Sequence, residues 1–246
     1  MAFNLAKKHM WRKRSNEAEC LDDLEQAGPG LETTLAQLGM INRWLGTHQS
    51  ILRALAPMLK SVSKASAIQI VDLGCGGGDL LRKVANWGRK HDYSFRLLGI
   101  DGNVNTLEYA EKQSLDYPEI SYLQQDLLAD MSLPTKTDLV ISSQFLYHYP
   151  DEALSRFFKQ LPEQSSLGLI SSDLHRHPLA YFAFAALTFV LPVHPMIRHD
   201  GLQAIKRGFR RQELLSILQN SGLSQFQLRW VWAFRFQLRI FTSAYV

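Results

Sequence analysis

The sequence predicts an α/β protein with a doubly wound, mostly parallel sheet of seven strands that ends in an antiparallel hairpin. Three observations predict this. From residue 66 onward, short apolar, β-branched runs alternate with helical stretches, the pattern of parallel βαβ units. The first run leads straight into a glycine-rich turn. The last two β-rich runs, 225–231 and 234–241, are too close together for a crossover helix, so they pair as a hairpin at the sheet edge.

The elements follow in order. Residues 1–65 read as a mostly helical arm and cap. Leu31, Leu35, Leu38 and Ile41 recur at helical spacing after the break Gly28-Pro29-Gly30. Ile51, Leu52, Leu55 and Leu59 recur again after Gly46. Residues 66–246 then form the main domain, with strands expected at 67–71, 95–100, 120–123, 138–142 and 167–171. A last helix spans 211–220 and stops at Ser221-Gly222. Between the fifth strand and that helix lies an insertion, 178–200, rich in Tyr181, Phe182, Phe184 and Phe189. It reads as a core helix, a lid over an apolar pocket, or a surface that touches a membrane.

Composition narrows the class. The chain has 246 residues, of which 46% are hydrophobic and 20% charged, which excludes global disorder. Its formal net charge is +4, too small a surplus to argue for nucleic-acid binding. Lys7, Lys8, Arg12, Lys13 and Arg14 hold much of that surplus. They read as a solvated arm, or else as a contact with anionic lipid or an acidic carrier. Two cysteines, Cys20 and Cys75, make neither a disulfide framework nor a metal set, which fits a reducing cytoplasm. The longest apolar run, 179–193, is shorter than the roughly 20 residues that span a bilayer. No membrane span is therefore expected, although peripheral contact stays open.

The chemistry is concentrated in Val71-Asp72-Leu73-Gly74-Cys75-Gly76-Gly77-Gly78-Asp79. A strand enters a turn in which Gly74 and Gly76 allow close approach to a ligand, and Gly78 allows a helix to pack tightly. A lone turn of this kind also serves dinucleotides. Three acids point elsewhere. Asp72 precedes the glycines, where a carboxylate can meet an ammonium group; a pyrophosphate site needs its loop amides free. Asp101, followed by Gly102, ends the second strand, where a carboxylate can accept from two ribose hydroxyls. Asp126 follows the third strand, where an acid can read an adenine amino group with Leu127 against the ring. Together these favour S-adenosylmethionine over a nicotinamide cofactor.

This succession resembles the class I methyltransferase family, with its Rossmann-like fold, over about residues 66–175. The resemblance implies that Asp72, Gly74, Gly76 and Gly78 form the first motif, that Asp101 binds ribose, and that Asp126 lies on the adenine side. It places Ser142 beside the methionine portion. One departure is that Asp101 lies further past the glycines than usual, with 90–93 as a longer loop.

The fourth strand ends in Ser142-Ser143-Gln144-Phe145-Leu146-Tyr147-His148-Tyr149. It lacks the Asn/Asp-Pro-Pro-Tyr/Phe sequence of enzymes that methylate base amino groups. It looks instead like the small-molecule branch of the family. Glu19 to Asp23, Ile41 to Gly46, Ser172 to Tyr181, and Asp200-Gly201-Leu202 before Arg207-Gly208-Phe209 resemble bacterial methyltransferases of polyketide and phenolic-lipid pathways. That implies a phenolic, quinonoid or polyketide hydroxyl as acceptor. Methylation of a ring carbon is the rival, and a non-catalytic cofactor-binding or partner protein is a second.

Methyl transfer from a sulfonium needs alignment and a deprotonated nucleophile. His175 is the preferred base and His148 the next, because both follow strand ends on the cofactor side. Asp173 can orient His175 or cap a helix. His148 can equally be a packing residue. Arg43 and Trp44 are expected to meet the substrate from one side, Tyr181 and Phe182 from the other. No metal is expected, since no His/Cys cluster stands in the sequence.

Overall fold

A computed structural model of the chain describes residues 11–134 and 136–242. Lys7 and Lys8 lie outside the described residues. Helix α1 (Pro29–Trp44) and helix α2 (Thr47–Leu59) come first. Then β1 (Ile68–Leu73), α3 (Asp79–Lys90), β2 (Phe95–Asp101), α4 (Val104–Gln113), β3 (Ile120–Gln124) and β4 (Thr137–Ser143) alternate. They are followed by α5 (Asp151–Gln164), β5 (Ser165–Leu174), α6 (Pro178–Val190), α7 (Pro195–Arg207), α8 (Arg211–Ser221), β6 (Phe226–Val231) and β7 (Arg235–Phe241).

The seven strands lie in the order β3-β2-β1-β4-β5-β7-β6. The first five are parallel, and β7 runs antiparallel to both β5 and β6. The chain reverses direction across the sheet between β1 and β4, so a crevice opens there beyond the carboxyl ends of the strands.

Alternation along each strand assigns the two faces. Ile68 and Ile70 of β1 pack on one side with Ile51, Leu55 and Leu59 of α2 and Leu81 and Val84 of α3. Val71 and Leu73 pack on the other with Phe157 and Phe158 of α5 and Ile217 of α8. With both faces covered, β1 must be apolar throughout, and each fully buried aliphatic contributes about 1.5–3 kcal/mol.

The N-terminal region departs from the helical expectation. Between residue 11 and Gly28 only Cys20–Asp22 is helical, as one 3₁₀ turn closed by Glu19 and Asp22. The stretch is held by side chains instead. Arg14 donates to the carbonyls of Tyr147 (3.0 Å) and Tyr149 (2.7 Å) and pairs with Asp151 (2.5 Å). Arg14 is therefore a docked anchor rather than part of a solvated arm, while Arg12 and Lys13 are exposed. Asp200 of α7 accepts the backbone N–H groups of Cys20 (2.8 Å) and Leu21 (3.0 Å). The insertion folds as α6 and α7, which pack on one another. Among the described residues, no helix is long and apolar enough to cross a membrane.

Candidate active site

A cavity of about 430 Å³ lies at the carboxyl ends of β1, β2 and β4, under α1, α6 and α7. Asp72, Gly74, Gly76, Asp101, Gly102, Asp126 and Leu127 all line it. Three successive strand ends thus converge on one site, as parallel pairing of β1, β2 and β3 requires.

The loop geometry depends on glycine. Gly74 has φ +66°, and a Cβ there would lie 2.3 Å from the Phe145 ring. Gly78 caps α3 at φ +73°, and a Cβ there would lie 2.2 Å from the Tyr122 hydroxyl. Gly78 does not line the cavity; it seats the helix against β3. Asp101 organises the loop: Oδ2 accepts from Gly76 N–H at 3.0 Å and Oδ1 from Asn103 N–H at 3.1 Å. Burial raises the Asp101 pKa, and those backbone donors oppose the rise.

Asp72 is different. It is buried, and its Oδ1 has no hydrogen-bond partner. Burial, then the neighbouring charge of Asp101, pushes its pKa well above the usual carboxylate range. A buried carboxylate without a partner is costly, and a cationic group placed against it removes that cost. This orphaned oxygen, with Asp101 beside it, fits an amino-acid ammonium and a ribose. Asp126 is exposed and caps its own turn through Leu128 N–H (3.0 Å), while Leu127 is buried. Ser142 is turned away: its Oγ donates to Leu73 O (3.3 Å), and Ser143 and Gln144 face the cavity instead. Side chains alternate along β4, so a shift of one residue changes the face.

The substrate-side expectations are corrected in the same way. The inward arc of α1 carries Leu35, Leu38 and Asn42, with Leu45 just past its end. Arg43 and Trp44 fall on the outer arc, and Trp44 is 62% exposed. Helix α6 turns Ala180, Ala183, Phe184 and Leu187 inward, at helical spacing. Tyr181 instead packs edge-on against Trp11, with ring centroids 5.6 Å apart. Phe182 is 59% exposed.

The two histidines separate. β5 runs to Leu174, three residues past its expected end, and carries His175 out beside β7. His175 does not line the cavity. Its Nδ1 accepts from Trp230 Nε1 (3.3 Å), its ring lies 4.8 Å from Phe236, and burial with His177 and Arg176 lowers its pKa to about 4. His175 is therefore not placed to act as a base on a ligand in this cavity. Asp173 does not orient it; Asp173 accepts from Leu146 N–H (3.1 Å) at the start of a 3₁₀ turn. His177 caps α6 by accepting from Leu179 N–H (3.1 Å).

His148 does line the cavity, in a cluster whose other members come from outside the strand-end motifs. Its Nε2 lies 3.1 Å from Asp22 Oδ1 and 3.6 Å from Glu19 Oε1. Its Nδ1 lies 2.9 Å from Phe145 O. Oxygen acceptors thus face both ring nitrogens, and a neutral imidazole has one N–H. A neutral His148 can therefore donate to only one of them. Arg207 balances the rest, reaching Asp22 at 2.6 Å and Glu19 at 3.1 Å. Burial raises Glu19 to about 8 against the pull of Arg207. Burial and Arg207 lower His148 to about 4, outweighing Asp22. Glu19 is thus the member of the cluster that burial keeps protonated up to about 8. Sequence reasoning assigned no role to Glu19, Asp22 or Arg207; their one signal was that they stand in the stretches, 19–23 and 207–209, that resemble the small-molecule methyltransferases.

Comparison with known proteins gives the family and the fold. Residues 70–163 match a family model described as a methyltransferase domain. A ubiquinone biosynthesis O-methyltransferase of Ralstonia nicotianae is 30% identical over 179 residues, spanning 70% of this chain and 69% of that one. Human N-acetylserotonin methyltransferase in complex with S-adenosylmethionine shares the fold, with a TM-score of 0.59 and 16% identity over 87% of this chain and 56% of that one. Magnesium protoporphyrin IX methyltransferase from Synechocystis PCC 6803, with bound S-adenosylhomocysteine, covers 97% of this chain and 95% of its own at a TM-score of 0.50 and 18% identity. The chain belongs to the class I methyltransferases and is an enzyme whose methyl donor is S-adenosylmethionine.

Proposed function

We propose that this enzyme methylates a hydroxyl of an apolar aromatic acceptor, phenolic or quinonoid. One observation carries the reading. The cavity that holds the glycine loop continues into a chamber walled by Leu38, Ala183, Phe184, Leu187 and Ile205, with the Glu19–Asp22–His148 cluster on its wall. Apolar walls suit a ring, and a proton-holding cluster suits an acceptor that must lose a proton. The Ralstonia relative, an O-methyltransferase of ubiquinone biosynthesis, supports the same chemistry.

In this reading Asp72 holds the cofactor's ammonium, Asp101 its ribose, and Leu127 packs against its adenine beside Asp126. The cofactor supplies an electrophilic methyl on a sulfonium. Helices α1 and α6 align the ring and exclude water. The cluster around His148 takes the hydroxyl proton as oxygen attacks.

The test is methyl transfer from deuteromethyl S-adenosylmethionine into small molecules extracted from producing cells. Mass spectrometry should show one labelled methyl on a phenolic or quinonoid product, and NMR should place it on oxygen. Label only on a ring carbon, or only on protein or nucleic acid, would sink the reading.

A further inference from the structure

The cavity lining also carries a buried cation with no anion against it among the described residues. Arg235, the first residue of β7, is 2% exposed. Among the described residues its Nε has no hydrogen-bond partner, and the bond from its Nη1 to Ala233 O is long, 3.4 Å. Among the described residues no carboxylate pairs with it. Its pKa is lowered to about 10 by burial alone. A guanidinium in this position is costly in the free protein, because nothing repays its lost hydration.

Two further polar groups on the same wall are also unpartnered. Ser143 Oγ and His48 Nδ1 are buried without partners, and both residues line the cavity with Arg235. The register explains why they share a wall. Ser143, Ser172 and Gln237 stand opposite one another across β4, β5 and β7. Helix α2 covers that row: Ser50 Oγ donates to Ser172 Oγ (3.0 Å), and Gln237 Nε2 donates to Ser50 O (2.5 Å). Arg235 is on the same face of β7, two residues nearer the cavity than Gln237. His48 enters from the first turn of α2. Burial keeps His48 neutral, at about 3, with Lys83 and Arg235 adding to the effect.

We propose that Arg235, Ser143 and His48 form an oxyanion-holding subsite, and that the acceptor is an aromatic hydroxy acid whose carboxylate binds there. The proposal rests on the phenolic reading above. All three groups donate hydrogen bonds, and an ionised carboxylate accepts several at once. The subsite and the Glu19–Asp22–His148 cluster line the same cavity. The acid end of the acceptor is anchored at the one while its hydroxyl is delivered to the other.

The experiment measures binding to the wild-type enzyme saturated with S-adenosylhomocysteine, by calorimetry. The probes are 4-hydroxybenzoate, its uncharged analogue 4-hydroxybenzamide, and octanoate, an acid without a phenol. Hydroxybenzoate should bind about tenfold or more tighter than the amide, the scale of a charged hydrogen bond. In Arg235→Gln that preference should vanish, in Arg235→Lys it should partly return, and the affinity for S-adenosylhomocysteine should stay within about twofold of wild type. The melting temperature of Arg235→Gln should not fall, because an unpaired buried charge has been removed. Equal binding of acid and amide by the wild type, or a preference that survives Arg235→Gln, overturns the proposal. Loss of S-adenosylhomocysteine affinity in Arg235→Gln overturns it too, by assigning the guanidinium to the cofactor's own carboxylate. If neither phenol binds but octanoate does, and only with Arg235 present, the subsite stands and the phenolic reading falls. If none of the three binds, both fall.

Discussion

His148 and Asp22 meet on the cavity wall, with Nε2 3.1 Å from Oδ1. One residue follows the fourth strand and the other belongs to a 3₁₀ turn ahead of the whole sheet. The contact makes the N-terminal segment part of the active-site wall rather than a cover over it.

The first prediction concerns the base. His148→Gln should lower turnover by about 10²–10⁴-fold while S-adenosylhomocysteine binds nearly as before. His175→Ala should leave turnover at neutral pH near wild type, because that ring sits against Trp230 and Phe236 outside the cavity. Single-turnover kinetics on both variants checks this; a reversed pattern would restore His175.

Glu19 predicts a pH dependence. Its proton, held to about 8 by burial, keeps the cluster loaded below that pH. The kcat/KM should therefore rise with pH and level off above about 8. Glu19→Gln should remove that limb. Stability moves the opposite way. Between the ordinary value of 4.5 and about 8 the folded state binds more protons than the unfolded state, so stability falls as pH rises through that window. Melting curves of wild type and Glu19→Gln should converge at low pH and separate at high pH, with the glutamine variant the more stable.

Asp101→Ala should weaken S-adenosylhomocysteine binding strongly with the fold preserved. Two charge-assisted hydrogen bonds are worth about 1.5–3 kcal/mol each. Part of the loss will come from the loop, since Gly76 N–H also loses its acceptor. Calorimetry should show the loss, and unchanged affinity would remove Asp101 from the site.

Gly74→Ala should abolish cofactor binding through two separable effects. The new Cβ meets the Phe145 ring at 2.3 Å, and φ +66° is strained for alanine by about 1–2 kcal/mol. Adding Phe145→Ala removes the clash and leaves the strain. The double variant should therefore regain part of the affinity; no recovery would mean that the clash is irrelevant.

Chelation is the last test. Glu19, Asp22 and His148 have the spacing of a metal site, yet Arg207 already holds both carboxylates. A dication there would compete with that guanidinium for the carboxylates. Turnover in EDTA should equal turnover in its absence, and loss of activity restored by magnesium would show that the reaction needs a metal.

The order of elements and the cofactor end of the site were legible in the sequence because both are local. Hydrophobic periodicity marks a strand or helix within a few residues, and Asp72, Gly74 and Asp101 sit at strand ends that parallel pairing must bring together. What lay beyond reach were orientations and distant partners. Ser143 rather than Ser142 faces the cavity, a matter of strand parity. Arg43, Trp44, Tyr181 and Phe182 do not line it, since an α-helix turns about 100° per residue and tertiary packing selects the buried arc. His175 stays outside because β5 extends three residues further to pair with β7, a long-range contact with no local signal. The Glu19–Asp22–His148–Arg207 cluster and the unpaired Arg235 emerge only when the N-terminal segment, α7 and β7 converge on one cavity. Local chemistry determined the fold class and the methyl donor; the folding of distant segments onto the sheet decided which side chains face the acceptor.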